Sequence, residues 1–172
     1  LAGTEIGDDL PQALRELGRE RIEVDVKTSP GNAADLSSYA FGAVFTEVHV
    51  DPQLGTVRVP RIIAAYDGGR IVNPLTAESQ AIGGLVQGIG MALLEGGEWD
   101  DRLGRVMNAN LAEYLVPVNA DVEELDVTFV RGDDRRFNPL GVKGIAEVSL
   151  CGVAPAIANA VFHATGVRTR RL

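Results

Sequence analysis

One carboxylate stands apart in this sequence. In Gly141-Val142-Lys143-Gly144-Ile145-Ala146-Glu147, the Glu147 side chain sits among small and apolar neighbours, with no cation within three residues of it. Desolvation in such a setting raises a carboxyl pKa, and the N-terminus of a following helix lowers it. A carboxylate poised between those influences can act as a general base. The same pattern also suits a carboxylate that only faces a helix N-terminus or joins an ion pair, and the residue types leave both readings open.

A second feature is a helix rich in glycine and glutamine. Asn73-Pro74 marks its start, because Asn caps and Pro is tolerated in the first turn, and the helix is expected from about Pro74 to Leu94. At 100° per residue, Ile82, Val86, Ile89 and Leu93 gather on one side as the expected core stripe. Gln80, Gly84, Gln87 and Met91 gather on the opposite side, an uncharged stripe where a water-facing helix would carry Lys or Glu. Gly83, Gly84, Gly88 and Gly90 should cost roughly 3–4 kcal/mol relative to alanine. Close approach of another backbone or of a ligand offsets such a cost. The pattern therefore fits either tight packing with satisfied amides or a helix laid against a polar cofactor. The glycines of 83–90 resemble a dinucleotide loop only superficially, since that fingerprint needs them between a strand and a helix start.

The remaining chemical groups carry less. Cys151 is the one cysteine of the chain, expected as a small buried filler. It excludes an internal disulfide and a four-cysteine zinc or iron–sulfur site built from this chain alone. His49 and His163 are isolated. Asp100-Asp101 and Asp133-Asp134 read as solvated turns, and Arg168, Arg170 and Arg171 as a solvated basic tail.

The elements around these residues are modest. The 172 residues carry 16 basic and 24 acidic side chains, a formal charge of −8, which argues against nucleic acid or an anionic membrane as partner. An apolar content of 45 % supports a packed core. The uncharged run 79–94 is too short and too polar to span a bilayer. Asp8–Arg21 is an expected amphipathic helix, Arg21–Val26 a half-buried strand, and 29–38 a linker. Ala40–Val50 and Thr56–Ala65 form an expected hairpin about the Asp51–Gly55 turn. A loop through Gly104, a strand over Val122–Val130, a loop over Gly141–Ser149 and a helix over Pro155–Thr165 closed by Gly166 complete the series. The order predicts an α+β fold of two layers, strands packed against two main helices. Residues 1–37 are read as a helix, strand and linker from a preceding domain, and 38–172 as one domain. The opening Leu1-Ala2-Gly3-Thr4 is no signal peptide, and the chain reads as a piece of a longer one.

Two motifs together carry a resemblance. Asp67-Gly68-Gly69-Arg70-Ile71-Val72-Asn73-Pro74, followed by Gln80 and Gln87-Gly88-Ile89-Gly90, resembles the molybdenum-cofactor subunit of the xanthine dehydrogenase/aldehyde oxidase family. So does Lys143-Gly144-Ile145-Ala146-Glu147 ahead of an alanine-rich helix. The resemblance runs from about Ser38 to the end of the chain. It implies a molybdenum-cofactor-binding domain, the C-terminal part of a hydroxylase large subunit that oxidises aldehydes or N-heterocycles with water as oxygen source. By the same resemblance Glu147 is the catalytic base, Gln80 hydrogen-bonds near the metal, and the Lys143-Gly144 backbone borders the cofactor pocket, with no side chain ligating the metal. The implied cofactor is a molybdenum–pterin, in its cytosine dinucleotide form, expected to be absent from this piece alone. The implied partners are the remainder of the large subunit and an iron–sulfur subunit, with a flavin subunit as a further candidate, in the cytoplasm or alternatively the periplasm. Ala146 departs from the glycine that many members have there. The rival from another class is a non-catalytic assembly domain whose glycine helix packs on a partner.

Overall fold

Strand β2 (Thr56–Asp67) organises the fold, and its sequence explains why. Ile62, Ala64 and Tyr66 alternate with Arg61, Ile63 and Ala65, so every second side chain points to one face. That face is buried. The computed structural model describes residues 9–27, 36–170 and 172. They fall into two units, one holding the described residues through Lys27 and the other those from Leu36 onward.

In the first unit, α1 (Leu10–Glu16) forms with Pro11 in its first turn. The strand expected over Arg21–Val26 does not form. These residues are irregular, and Val24 is 75 % exposed. Alternation marks a face, but a strand also needs a ladder partner, and none of the described residues supplies one.

In the second unit, β1 (Phe41–Asp51) and β2 (Thr56–Asp67) pair antiparallel across the expected turn, with a register shift between Glu47 and His49. Asp51 accepts from the amides of Gln53 and Leu54 to close that turn. β5 (Glu124–Phe129) pairs parallel with β2, giving a three-stranded sheet in the order β1-β2-β5. Helix α2 (Pro74–Leu93) connects them, capped as expected by Asn73, whose side chain accepts from the Thr76 amide at 3.3 Å. The loop expected after α2 contains a small hairpin, β3 (Trp99–Asp100) with β4 (Arg105–Val106). Asp100 closes its turn by accepting from Arg102 and Leu103, so it is a structured turn residue. Helices α3 (Ala146–Cys151) and α4 (Val153–Thr165) follow. The loop expected over Gly141–Ser149 thus ends at Ile145, four residues early, because α3 begins ahead of the helix expected from Pro155, and Glu147 lies in the first turn of α3.

Val59, Ile62, Ala64 and Tyr66 of β2, Ala81, Leu85 and Ile89 of α2, and Val153 and Ile157 of α4 form the core. This is the predicted α+β arrangement, helices packed against a sheet. The buried face of α2 is rotated from the expected stripe. Ala77, Ala81, Gly84, Leu85, Gly88 and Ile89 are buried, while Ile82 and Val86 are only half-buried. The reason lies in the glycines. A Cβ on Gly84 would overlap Ser149, and one on Gly88 would overlap Val153, so the small residues let α2 meet the α3–α4 junction at close range.

The stretch 146–165 has the length and apolarity of a crossing segment (mean hydropathy 1.4). It is divided at Gly152 into α3 and α4, and its Val153 and Ile157 lie in the core. Cys151 is exposed, contrary to expectation, because it falls on the side of α3 turned away from α2. Arg168 at the end of α4 is not simply solvated. It donates to Asn159 at 2.6 Å and lies over the Phe162 ring at 3.8 Å.

Candidate functional site

The turn after β2 and the loop before α3 are tied to each other, and this brings distant residues together. Gly69 (φ +67°) and Gly141 (φ +71°) adopt backbone conformations that disfavour L side chains. The amide of Arg70 donates to the Gly141 carbonyl at 2.7 Å, and the amide of Lys143 donates to the Gly68 carbonyl at 2.9 Å. A β-bridge joins Gly69 to Val142 between those bonds. The two loops thereby form a short two-stranded tie beside the N-terminal turns of α2.

An open groove of about 560 Å³ lies there, lined by Arg70, Asn73, Thr76, Gln80, Gly144 and Glu147 among others. A second hollow of about 440 Å³ shares Gln80 and Glu147 and adds Gly83, Gln87 and Leu150. Gln80 and Glu147, 67 positions apart in sequence, thus wall the same space. Both are exposed. Among the described residues, neither side chain is engaged in a hydrogen bond or ion pair, so both polar groups are available to a ligand. Gly83 and Gly144 have open space where a Cβ would stand, which leaves backbone accessible along both walls. Ala146 takes up helical conformation, and no non-glycine residue has positive φ among those described. The alanine at that position therefore costs the loop nothing.

Lys143 borders the groove, but its ammonium is engaged elsewhere. It donates to Asp67 Oδ2 at 2.7 Å, lies 3.4 Å from Asp134 Oδ2, and sits 5.9 Å from the centre of the Phe41 ring. The hydrogen bond from Lys143 and the amide of Gly69 hold the Asp67 carboxyl below its usual range. The hydrogen bond to Asp67 raises Lys143 above its ordinary value, against desolvation. Asp134 is therefore no solvated turn residue: it also accepts from Ser38 Oγ at 3.1 Å.

Behind α3, the Tyr66 hydroxyl donates to the Ser149 carbonyl at 3.0 Å, and Ser149 Oγ donates to the Ala146 carbonyl at 2.6 Å. Burial pushes the Tyr66 phenol up to about 12. Sequence reasoning did not single out Tyr66, Asp67 or Asp134 for this site. Asp67 entered only as the first residue of the Asp67–Pro74 motif, and nothing in its spacing shows a lysine 76 positions away. Among the described residues, no group of three or more His, Cys, Asp or Glu could hold a metal ion. The glycine-rich segment 83–90 lies inside α2, which removes a dinucleotide-binding turn from consideration.

Residues 13–123 match the molybdopterin cofactor-binding domain family. The chain belongs to that family. It is 48 % identical over 130 residues to the aldehyde oxidoreductase molybdenum-binding subunit of Escherichia coli, covering 76 % of this chain and 18 % of that protein. It is 33 % identical over 177 residues to the gamma subunit of the 6-hydroxypseudooxynicotine dehydrogenase complex of Paenarthrobacter nicotinovorans, covering 96 % of this chain and 22 % of that one. Among solved structures, the aldehyde oxidoreductase of Desulfovibrio gigas superposes with a TM-score of 0.69 at 33 % identity, over 77 % of this chain and 14 % of that one. The chain thus spans about a fifth of the length of the curated relatives it matches. The family match includes Gln80 and ends before Glu147.

Proposed function

We propose that the chain forms part of the large subunit of a molybdenum hydroxylase that oxidises aldehydes or N-heterocycles with water as the source of oxygen. The observation that carries this reading is the shared groove. A proton-accepting carboxylate and an uncharged amide, from two distant segments, wall one space bordered by glycine backbone.

The residues present fit a molybdenum–pterin cofactor, here taken to be the cytosine dinucleotide form. Such a group brings its own sulfur ligands to the metal, so the protein needs hydrogen-bonding walls and close backbone approach more than metal-ligating side chains. Gln80 and Gln87 can donate to cofactor oxygens without adding charge. Gly83 and Gly144 let a ligand reach the main chain. When bound, the cofactor supplies a Lewis acid and an acceptor for two electrons. Glu147 accepts the proton of the oxygen nucleophile at its carboxylate.

The remainder of the large subunit would supply the rest of the cofactor site, an iron–sulfur subunit would take the electrons, and a flavin subunit is a candidate further acceptor. This piece alone would hold no cofactor. The cytoplasm suits the reading, with the periplasm as the alternative. A non-catalytic assembly domain would use the α2 glycines against a partner, whereas Gly84 and Gly88 are occupied by the α3–α4 junction of this same chain.

The test uses the full-length polypeptide with its partner subunits. Molybdenum and a pterin should co-purify with the wild type. Glu147→Gln should keep the metal content and lower aldehyde oxidation by about 10²–10⁴-fold. Wild-type-like turnover in that variant, or a wild type without molybdenum, overturns the reading.

A further inference from the structure

We propose that the C-terminal end of β2 is a two-point clamp that positions Glu147, with Asp67 holding the segment before it through Lys143 and Tyr66 holding the segment after it through Ser149. The inference rests on the reading of Glu147 as the proton acceptor, and assigns positioning roles to residues that do not touch the reacting atoms.

Three observations support the clamp. First, Tyr66 and Asp67 are consecutive, so their side chains leave the strand in opposite directions. One strand end therefore reaches both the core and the loop side. Second, their targets bracket Glu147. Lys143 lies four residues before it and donates to Asp67 at 2.7 Å, and the Ser149 carbonyl two residues after it accepts from Tyr66 at 3.0 Å. Third, both contacts are sheltered. Tyr66 and Ser149 are buried, and the Lys143 side chain is 13 % exposed. Glu147 itself makes no hydrogen bond or ion pair with a described residue, so its placement depends on the backbone that carries it.

Each arm has its own second support. Asp134 gives the lysine another acceptor and is tied to Ser38. Ser149 Oγ closes on the Ala146 carbonyl, which stiffens the single turn of α3 carrying Glu147. A general base must sit within hydrogen-bond reach of its proton, and a displacement of about 1 Å can cost roughly 10²-fold in rate. The clamp fixes that distance without placing a second charge on the base.

The experiment uses the full-length protein with its partner subunits, an aromatic aldehyde as electron donor and ferricyanide as acceptor. Lys143→Met, Asp67→Asn, their double variant and Tyr66→Phe are compared with wild type in three readouts: molybdenum content, steady-state kinetics and amide hydrogen exchange over residues 141–150. With molybdenum content retained, each single variant should speed exchange in that segment and lower kcat by about 10- to 100-fold, with KM within twofold. The Lys143/Asp67 double variant should be no worse than either single one, as expected for one shared interaction. Wild-type exchange and kcat in Lys143→Met overturn the clamp. So does a loss of rate that merely follows loss of molybdenum, or additive losses in the double variant. A wild type lacking molybdenum and aldehyde oxidation overturns the functional reading instead, and the exchange arm then decides by itself whether the clamp fixes the segment.

Discussion

Gly84 and Ser149 meet so closely that a methyl group on the glycine would overlap the serine side chain and press on its backbone. This contact sets the distance between α2, which carries Gln80, and α3, which carries Glu147. Gly83 is its natural control, because a Cβ there meets nothing within 4 Å.

The two neighbours should respond with opposite signs. Gly84→Ala gains helix propensity but overpacks a backbone contact that cannot give, an effect of about 1–3 kcal/mol. Its apparent Tm should fall, and exchange should rise at the α2–α3 contact. Gly83→Ala keeps the propensity gain, up to about 1 kcal/mol, and its apparent Tm should rise. Thermal unfolding of the two variants beside wild type measures both signs. Equal shifts would mean that α3 does not sit against Gly84.

Tyr66 gives the fold an alkaline limit. Its phenol is raised by burial to about 12, against about 10 in an unfolded chain. The contribution is fully present below pH 10 and is lost as pH rises through 12, because the unfolded chain gives up the proton first. Its size is about 3 kcal/mol at most. Tyr66→Phe should remove this alkaline loss, while costing about 1–3 kcal/mol at neutral pH by leaving the Ser149 carbonyl without its donor. Urea midpoints between pH 7 and 11 separate the two effects.

The Asp67–Lys143 pair acts at both ends of the scale. Asp67 is lowered from 3.8, so its contribution is present above that value and fades as pH falls through the depressed one. Lys143 is raised from 10.5, so its contribution is present below 10.5 and fades as pH rises through the raised one. Asp67→Asn should therefore flatten the acid limb of stability, measured as urea midpoints from pH 2 to 5. An acid limb identical to wild type would mean that the pair is not formed.

What the sequence disclosed follows from the range of each signal. The Asn73 cap, the hairpin turn at Asp51–Gly55 and the extent of α2 are local, and local chemistry fixed them. The buried face of α2 was misjudged, because apolarity pointed to Ile82 and Val86 while close packing on α3 and α4 selected Gly84 and Gly88. The Arg21–Val26 strand failed because alternation cannot supply a partner. Gln80 and Glu147 were legible as unusual residue types. Their meeting depends on the tie between Gly69 and Val142 and on the Asp67–Lys143 contact, and no spacing rule reports pairs more than 70 positions apart.

Gly144 offers a test of the groove that leaves the fold alone. Its φ is not positive, and a Cβ on it has open space around it. Gly144→Ala should therefore change stability by no more than about 0.5 kcal/mol, as a surface substitution does. The added methyl would nevertheless stand at the wall shared with Gln80 and Glu147, where a bound cofactor needs close backbone approach. The full-length variant should thus keep its apparent Tm in the cofactor-free form and lose a substantial fraction of its molybdenum, measured by elemental analysis. Glu147→Gln should instead keep the metal and lose turnover. If Gly144→Ala loads as much molybdenum as wild type, the cofactor does not approach the backbone at this wall, and the groove between residues 70 and 147 is not where it lies.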